Sequence, residues 1–386
     1  MDEKIEASIM LASYFETLGF KNSQWEFNYS AKITSLNEYM VLWNTMLHHY
    51  TILGGSTQIN IKNWDSSDDT ILIMATIEAL LNHTKNIEDK YIQKYIKYYD
   101  LLNETIRVSG LTTIDMIKLL RIGNTITTLP SKENMGGNGA ALRTGPIGLY
   151  FYNNYHKVIE EAFIASRLTH NYYLGYMGGV ITALFTAFAF NNIPPWEWIN
   201  ELLKLYDIIK YYYPKNHNID DLEKYINFWK KYNETRVKKI INKNLLATFC
   251  YPENRFIYLL NYFPNSKIRD IILNEKKLYK LKFNWSRFSN TGLDACIYAY
   301  DCLLMSMYTP NSIILDLNNI LYNLDTFMTL VCIHPGDNDT TGAIGGTWFG
   351  ALNGYSNFNK NRLLELEFIN ELTEIIKKFK KLIISR

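Results

Sequence analysis

The sequence predicts an all-α fold, and three observations carry that reading. Apolar residues recur at helical spacing along most of the 386 residues. Alternation at strand spacing is confined to short pieces such as Gln58–Lys62, and no strand–helix–strand rhythm appears. At 47% hydrophobic, 15% aromatic and 20% charged, the chain has ample core and lacks the composition of a disordered one. A prior of roughly 150 residues per domain allows two or three domains. No linker, repeat or long charge block marks a boundary, however.

Taken in order, Ile5, Ile9, Ala12 and Phe15 line one face of an N-terminal helix that Gly19 can close. After an Asn-rich loop over 50–66, Ile71, Met74, Ile77, Leu80 and Leu81 line a second helix. A loop over 123–138 precedes a third face made by Val158, Ala162, Ile164 and Ala165. Leu174–Phe190 carries no charge, falls just short of the ~20 residues a bilayer needs and has no basic flank. It reads as a helix buried on all sides, which Pro194 and Pro195 stop before Trp196-Glu-Trp198 starts the next. Further helices are predicted over 197–212, 219–231, 236–247, 290–308, 311–333 and 361–382, with polar loops at 213–218 and 354–361.

Forty basic residues against thirty-eight acidic ones leave a formal charge of +2, which gives no field for a nucleic-acid partner. Lys377, Lys378, Lys380 and Lys381 read as a solvated helix end suited to the negative pole of the dipole. Cys250, Cys296, Cys302 and Cys332 are too scattered for a disulfide framework or a zinc knuckle. Met1-Asp2-Glu3-Lys4 lacks the basic-then-apolar run of a signal peptide, so a cytoplasmic protein with no membrane association is expected.

Four stretches carry chemistry. Asp65-Ser-Ser-Asp-Asp-Thr70 precedes the helix over 71–84 and suits a helix N-terminus. Adjacent aspartates cannot both cap, so one carboxylate is left for another partner such as a hard cation. In His334-Pro-Gly-Asp-Asn-Asp-Thr-Thr-Gly342, the oxygens of Asp337, Asp339 and Thr340 can converge on one Mg²⁺ or Mn²⁺. An EF-hand reading of that string fails at its twelfth position, where Trp348 replaces Glu. Gly342, Gly346, Gly350 and Gly354 then repeat every four residues, a stripe that makes sense if another backbone passes close by. Met135-Gly-Gly-Asn-Gly-Ala-Ala-Leu-Arg143 is either a Gly-rich loop offering amides to an anion or a flexible turn. It matches neither a Rossmann nor a Walker A pattern. Ser166-Arg-Leu-Thr-His170 places one histidine at a helix entrance, as a structural group or a site residue.

In this order along one chain, Ser67-Asp68-Asp69-Thr70, the G-N-G-A-A-L-R loop, the S-R-L-T-H segment and G-D-N-D-T-T-G-A-I-G-G resemble the ADP-ribosylglycohydrolase family. The resemblance runs from about Ile5 to about Tyr355 and is strongest to the ADP-ribosylarginine hydrolases. Gln24-Trp-Glu-Phe27, Asp69–Leu80, Ala183–Ala189 and Leu293–Asp301 are its further pointers. It implies one large orthogonal helical bundle over 1–386, folded around a central cleft with two Mg²⁺ or Mn²⁺ ions. Carried over by position, Ser67, Asp68 and Asp69 would supply metal ligands from one side, and Asp337, Asp339 and Thr340 from the other. The loop Gly136, Gly137, Asn138 and Gly139 would receive the pyrophosphate or distal ribose, with Thr169 and His170 at the cleft wall.

The implied activity is removal of ADP-ribose from modified arginine on proteins by a monomer. Asp68 or Asp69 would act as base and Glu26 would position the guanidinium or assist proton transfer. Alternatives are hydrolysis of another ADP-ribosyl linkage, to serine or in a small metabolite, and a silent ADP-ribose-binding member. Where the family has Gly-Asp-Ala-Leu-Gly, this chain reads Phe15-Glu-Thr-Leu-Gly19, so Phe15 would fill space near the cleft floor. Pro335 and Tyr173 also depart from the family pattern, as does the loop over Trp285–Leu293.

Overall fold

The computed structural model describes residues 1–26, 36–84, 86–243, 289–310 and 316–385. Among them, helices of seven residues or more are numbered here in chain order. These are α1 (Asp2–Phe20), α2 (Leu36–Ile52), α3 (Asp68–Leu81), α4 (Ile87–Lys97), α5 (Leu111–Arg121), α6 (Tyr155–Arg167) and α7 (Tyr173–Phe190). Then come α8 (Trp198–Lys204), α9 (Tyr206–Tyr212), α10 (Ile219–Tyr232), α11 (Asp294–Met305), α12 (Leu324–Cys332), α13 (Asn338–Asn353) and α14 (Ile369–Ile384). The sheet content among the described residues is one antiparallel pair, β1 (Met307–Tyr308) with β2 (Leu321–Tyr322). The fold is all-α, as the periodicity predicts.

Three helices are buried almost all round and form the centre. In α1 burial is continuous from Ala7 to Phe20, in α7 from Gly175 to Phe190, and in α13 from Asn338 to Ala351. Helices without a polar face belong inside a bundle. By length and composition α7 is also the one described helix apolar enough to cross a membrane, yet 89% of it is buried against the rest of the protein. Outer helices are amphipathic instead. In α14, Leu372, Ile375, Ile376, Phe379 and Ile383 face inward, while Lys380 reaches Asp2 at 3.0 Å and Glu6 at 2.8 Å.

The glycine stripe explains how α13 meets α1. A Cβ at Gly342 would stand 2.6 Å from the carbonyl oxygen of Phe15, and Cβ atoms at Gly346 and Gly350 would run into the backbone at Leu11 and Ala7. Gly354 lies beyond the contact, as the helix C-cap with φ +63°. Gly19 belongs to the same crossing. It does not close α1, which runs one residue further to a left-handed Lys21, and its Cβ would meet Asn338. Backbone-to-backbone approach therefore joins the first helix to one more than 300 positions later in the chain.

Other boundaries differ from the sequence reading for local reasons. The stretch 197–212 breaks into α8 and α9 at Leu205. A π-turn over Asn233–Val237 carries α10 straight into a short helix, Lys238–Lys243, and residues 244–247 of the predicted helix lie outside the described residues. Of the helix predicted over 311–333, residues 311–315 lie outside the described residues; among the described ones it begins at Leu324, where Asn323 caps it, because β2 occupies part of the preceding segment. Gln58–Lys62 forms no strand: Gln58 ends a single helical turn, and Ile59 and Ile61 are buried without strand pairing. Cys296, Cys302 and Cys332 are buried, while Cys250 falls outside the described residues.

Candidate metal centre

The N-terminus of α3 is capped by Ser67, whose Oγ accepts from the amide of Asp69 at 3.3 Å. A carboxylate caps the same end from α1. Glu16 accepts from the amides of Ser67 at 3.2 Å and Thr70 at 3.3 Å. With serine and glutamate serving the orphan amides, both Asp68 and Asp69 are spared that task. They sit on the first turn, buried, and Oδ2 of Asp69 has no hydrogen-bond partner among the described residues.

The opposing ligands come from the turn into α13. His334 braces this turn, meeting the Thr341 hydroxyl through Nε2 at 2.8 Å and accepting from the Gly336 amide through Nδ1 at 3.1 Å. Asp337, at the N-cap position, does not cap. Its Oδ2 accepts from the side-chain amide of Asn138 at 2.8 Å. Asp339 follows on the first turn and accepts from the Thr340 amide at 2.8 Å. Ligand oxygens of Glu26, Asp337 and Asp339 all lie within 4.8 Å of one another, and all three residues are buried.

Electrostatics join these groups to α3. Burial raises Asp68 to about 7, with the charge of Asp339 adding to it. Asp69 is raised well above the usual carboxylate range, first by burial and then by Asp339, Asp68, Glu16 and Asp337. Asp337 is driven up by burial, by Asp339 and by Glu26, and Asp339 by burial against the relief of hydrogen bonds to Asp337, Thr340 and Ser67. Glu16 is pushed up to about 8, mainly by burial. Buried carboxylates repel one another unless protons or cations neutralise them. This donor set of clustered carboxylate and hydroxyl oxygens, with an orphaned aspartate oxygen among them, fits hard divalent cations.

Beside the cluster, the Gly-rich loop is braced from beneath. Arg143 donates to Thr169 Oγ1 at 2.6 Å, to Ala165 O at 3.1 Å, to the Tyr95 hydroxyl at 3.0 Å and to Gly139 O. The Thr169 hydroxyl lies 2.8 Å from Nδ1 of His170, so it can accept from arginine and donate to the imidazole. Burial and the Arg143 charge lower His170 to about 3, which keeps the ring neutral. That ring fills the underside of the loop: a Cβ at Gly139 would come within 2.7 Å of it, and one at Gly137 within 3.3 Å. The amides of Gly136 and Asn138 are bonded to Glu133 and Asn290.

The geometry thus brings together Ser67, Asp68, Asp69, Glu26, Asp337 and Asp339, with Thr340 buried on the same helical turn. It places Gly136–Gly139, Thr169 and His170 as an adjoining braced wall, with Asn138 as the link to Asp337. Phe15 turns its ring onto Phe327 of α12, with centroids 6.1 Å apart, inside the core. Residues 285–288 of the divergent loop lie outside the described residues, but Asn290 pairs with the Gly-rich loop. Sequence reasoning gave Glu16 no capping role and Arg143 no role at all. A lone arginine closing a glycine-rich motif was the available signal for the second.

Residues 17–385 match the family model for ADP-ribosylglycohydrolase. A provisionally named ADP-ribosyl glycohydrolase of Acanthamoeba polyphaga mimivirus is 31% identical over 94% of this chain and 67% of its own length. ADP-ribosylhydrolase ARH1 of Dictyostelium discoideum is 28% identical over 95% of this chain and 91% of its own length. A solved structure described as an ADP-ribosylglycohydrolase-related protein complex shares the fold, with a TM-score of 0.55 at 15% identity over 98% of this chain and 99% of that one. With an acidic cluster assembled from both ends of the chain and a family match across nearly all of it, the chain belongs to the ADP-ribosylglycohydrolase family.

Proposed function

We propose that the protein is a divalent-metal-dependent hydrolase that removes ADP-ribose from ADP-ribosylated arginine on proteins. The observation that carries this reading is the convergence of Glu26, Asp337 and Asp339 within 4.8 Å, facing the buried pair Asp68 and Asp69. The similarity to ADP-ribosylhydrolase ARH1 supports the substrate class. Mg²⁺ or Mn²⁺ held there would supply the positive charge that orients ribose hydroxyls and acidifies water.

The bond to be broken joins the anomeric carbon of ribose to a guanidinium nitrogen, and its cleavage develops oxocarbenium character. Carboxylates on one side of the ribose favour that positive charge. Asp68 or Asp69, whichever oxygen is not used as a ligand, takes the proton of the attacking water. Glu26 stands where a carboxylate can orient the departing guanidinium and assist proton transfer to it. The Gly-rich loop, stiffened by Arg143 and His170, forms the wall for the rest of ADP-ribose.

The test is release of ADP-ribose from arginine-modified and serine-modified proteins, with and without Mg²⁺, by wild type, Asp68→Asn and Asp69→Asn. Mg²⁺-dependent release from arginine that both variants lose is the expected result. Turnover of the serine linkage alone would replace the substrate, and no turnover of either at saturating metal would leave an ADP-ribose-binding protein.

A further inference from the structure

The turn that carries Ser67, Asp68 and Asp69 is gripped from behind by an ion pair that the proposed chemistry does not use. Arg107 donates through Nη1 to the carbonyl oxygen of Ser66 at 2.8 Å and to Glu367 Oε2 at 2.6 Å. Its Nη2 donates to Glu367 Oε1 at 2.7 Å. Glu367 Oε2 also accepts from the Ser66 amide at 2.9 Å. The amide and the carbonyl of a single residue are thus held by the two halves of one bidentate pair.

Three features make this more than a surface ion pair. The Arg107 side chain is only 4% exposed, and its guanidinium lies over the Phe368 ring at 5.3 Å. Ser66 is fully buried, with its hydroxyl 3.0 Å from that of Thr17 on α1. The local cap of α3 is long, at 3.3 Å, so the turn draws its order from outside. Ser66 immediately precedes the N-cap, and the orientation of its peptide groups sets the direction in which the chain enters α3. Exposed pairs contribute little on their own, but one fastened to the backbone beside a ligand can set that ligand's aim.

We infer that Arg107 and Glu367 are positioning residues for divalent-cation binding: by fixing the peptide groups of Ser66 they aim Asp68 and Asp69. The segment that follows the last candidate ligand therefore contributes to metal affinity without touching the metal. This rests on the reading of the acidic cluster as a cation site.

The experiment is calorimetric titration of the full chain with Mn²⁺ for wild type, Arg107→Lys, Glu367→Gln and the double variant. Melting temperatures of the metal-free forms and ADP-ribose release at saturating metal are measured in parallel. Each single substitution is expected to weaken Mn²⁺ binding by about tenfold or more. The double variant is expected to be no weaker than the worse single one, because both residues serve one device. Lys380→Ala, which breaks another anchor of the C-terminal helix, should lower melting temperature without moving Mn²⁺ affinity. Folded variants that bind Mn²⁺ as wild type does, whatever their melting temperature, would overturn the inference. So would additive losses in the double variant. Wild type that binds no Mn²⁺ defeats this inference and the cation site together. Weakened variants beside a wild type that binds Mn²⁺ but releases no ADP-ribose uphold the inference and defeat only the hydrolase reading.

Discussion

Asp68 and Asp69 show how far a residue can be read before its surroundings are known. Their adjacency at a helix start implies a carboxylate to spare, and the fold spares two, because Ser67 and Glu16 take over the capping. Glu16 was not legible as a cap, since it reaches the amides from a helix about 50 positions earlier. At this scale we expect Asp69→Asn to abolish most Mg²⁺-dependent turnover while keeping or raising the stability of the metal-free protein. The substitution removes one of several mutually repelling buried charges. Parallel activity and thermal-melt measurements check it. Gly139→Ala should act oppositely. Its methyl would enter the space of the His170 ring, 2.7 Å away, so loop order and substrate affinity suffer while Mn²⁺ binding, read by calorimetry, is retained.

Among the elements, the crossing of α1 and α13 decides the site. The four-residue glycine spacing told of a close backbone neighbour, and three of those glycines do meet one. The sequence could not say that the neighbour is α1, because long-range partners leave no mark in local spacing. Gly19 illustrates the same limit: it looked like a helix stop and proves to be a contact with Asn338. The segment 311–333 failed as one helix for a related reason, since pairing of β2 with β1 outweighs its helical periodicity. Gly346→Ala should force the two helices apart. We expect a destabilisation of about 1–3 kcal/mol or more from overpacking. Weaker Mn²⁺ binding should accompany it, because α1 carries Glu16, which caps the α3 turn that faces α13 across the cluster. Chemical denaturation and calorimetry on the same variant test both halves of that expectation.

For the molecule as a whole, the near-balance of formal charge conceals a buried concentration of acid. Folded-state values of about 7 for Asp68 and about 8 for Glu16, with Asp69, Asp337 and Asp339 also raised, stand above the ~4 of an unfolded carboxylate. Between those limits the native protein binds more protons than the unfolded chain, so stability without metal falls as pH rises from about 4 to about 8. A metal-free melt at pH 8 should therefore lie below one at pH 6. Added Mg²⁺, which replaces the protons, should raise the melting temperature more at pH 8. An increment equal at both values would count against cations as the neutralising partner.

The account stands on the claim that carboxylates from the two ends of the chain hold the same cations. Mn²⁺ titration of wild type, Asp69→Asn and Asp337→Asn tests it most directly. The prediction is that a substitution at either end alone greatly weakens Mn²⁺ binding. Full Mn²⁺ binding that survives either substitution would contradict it.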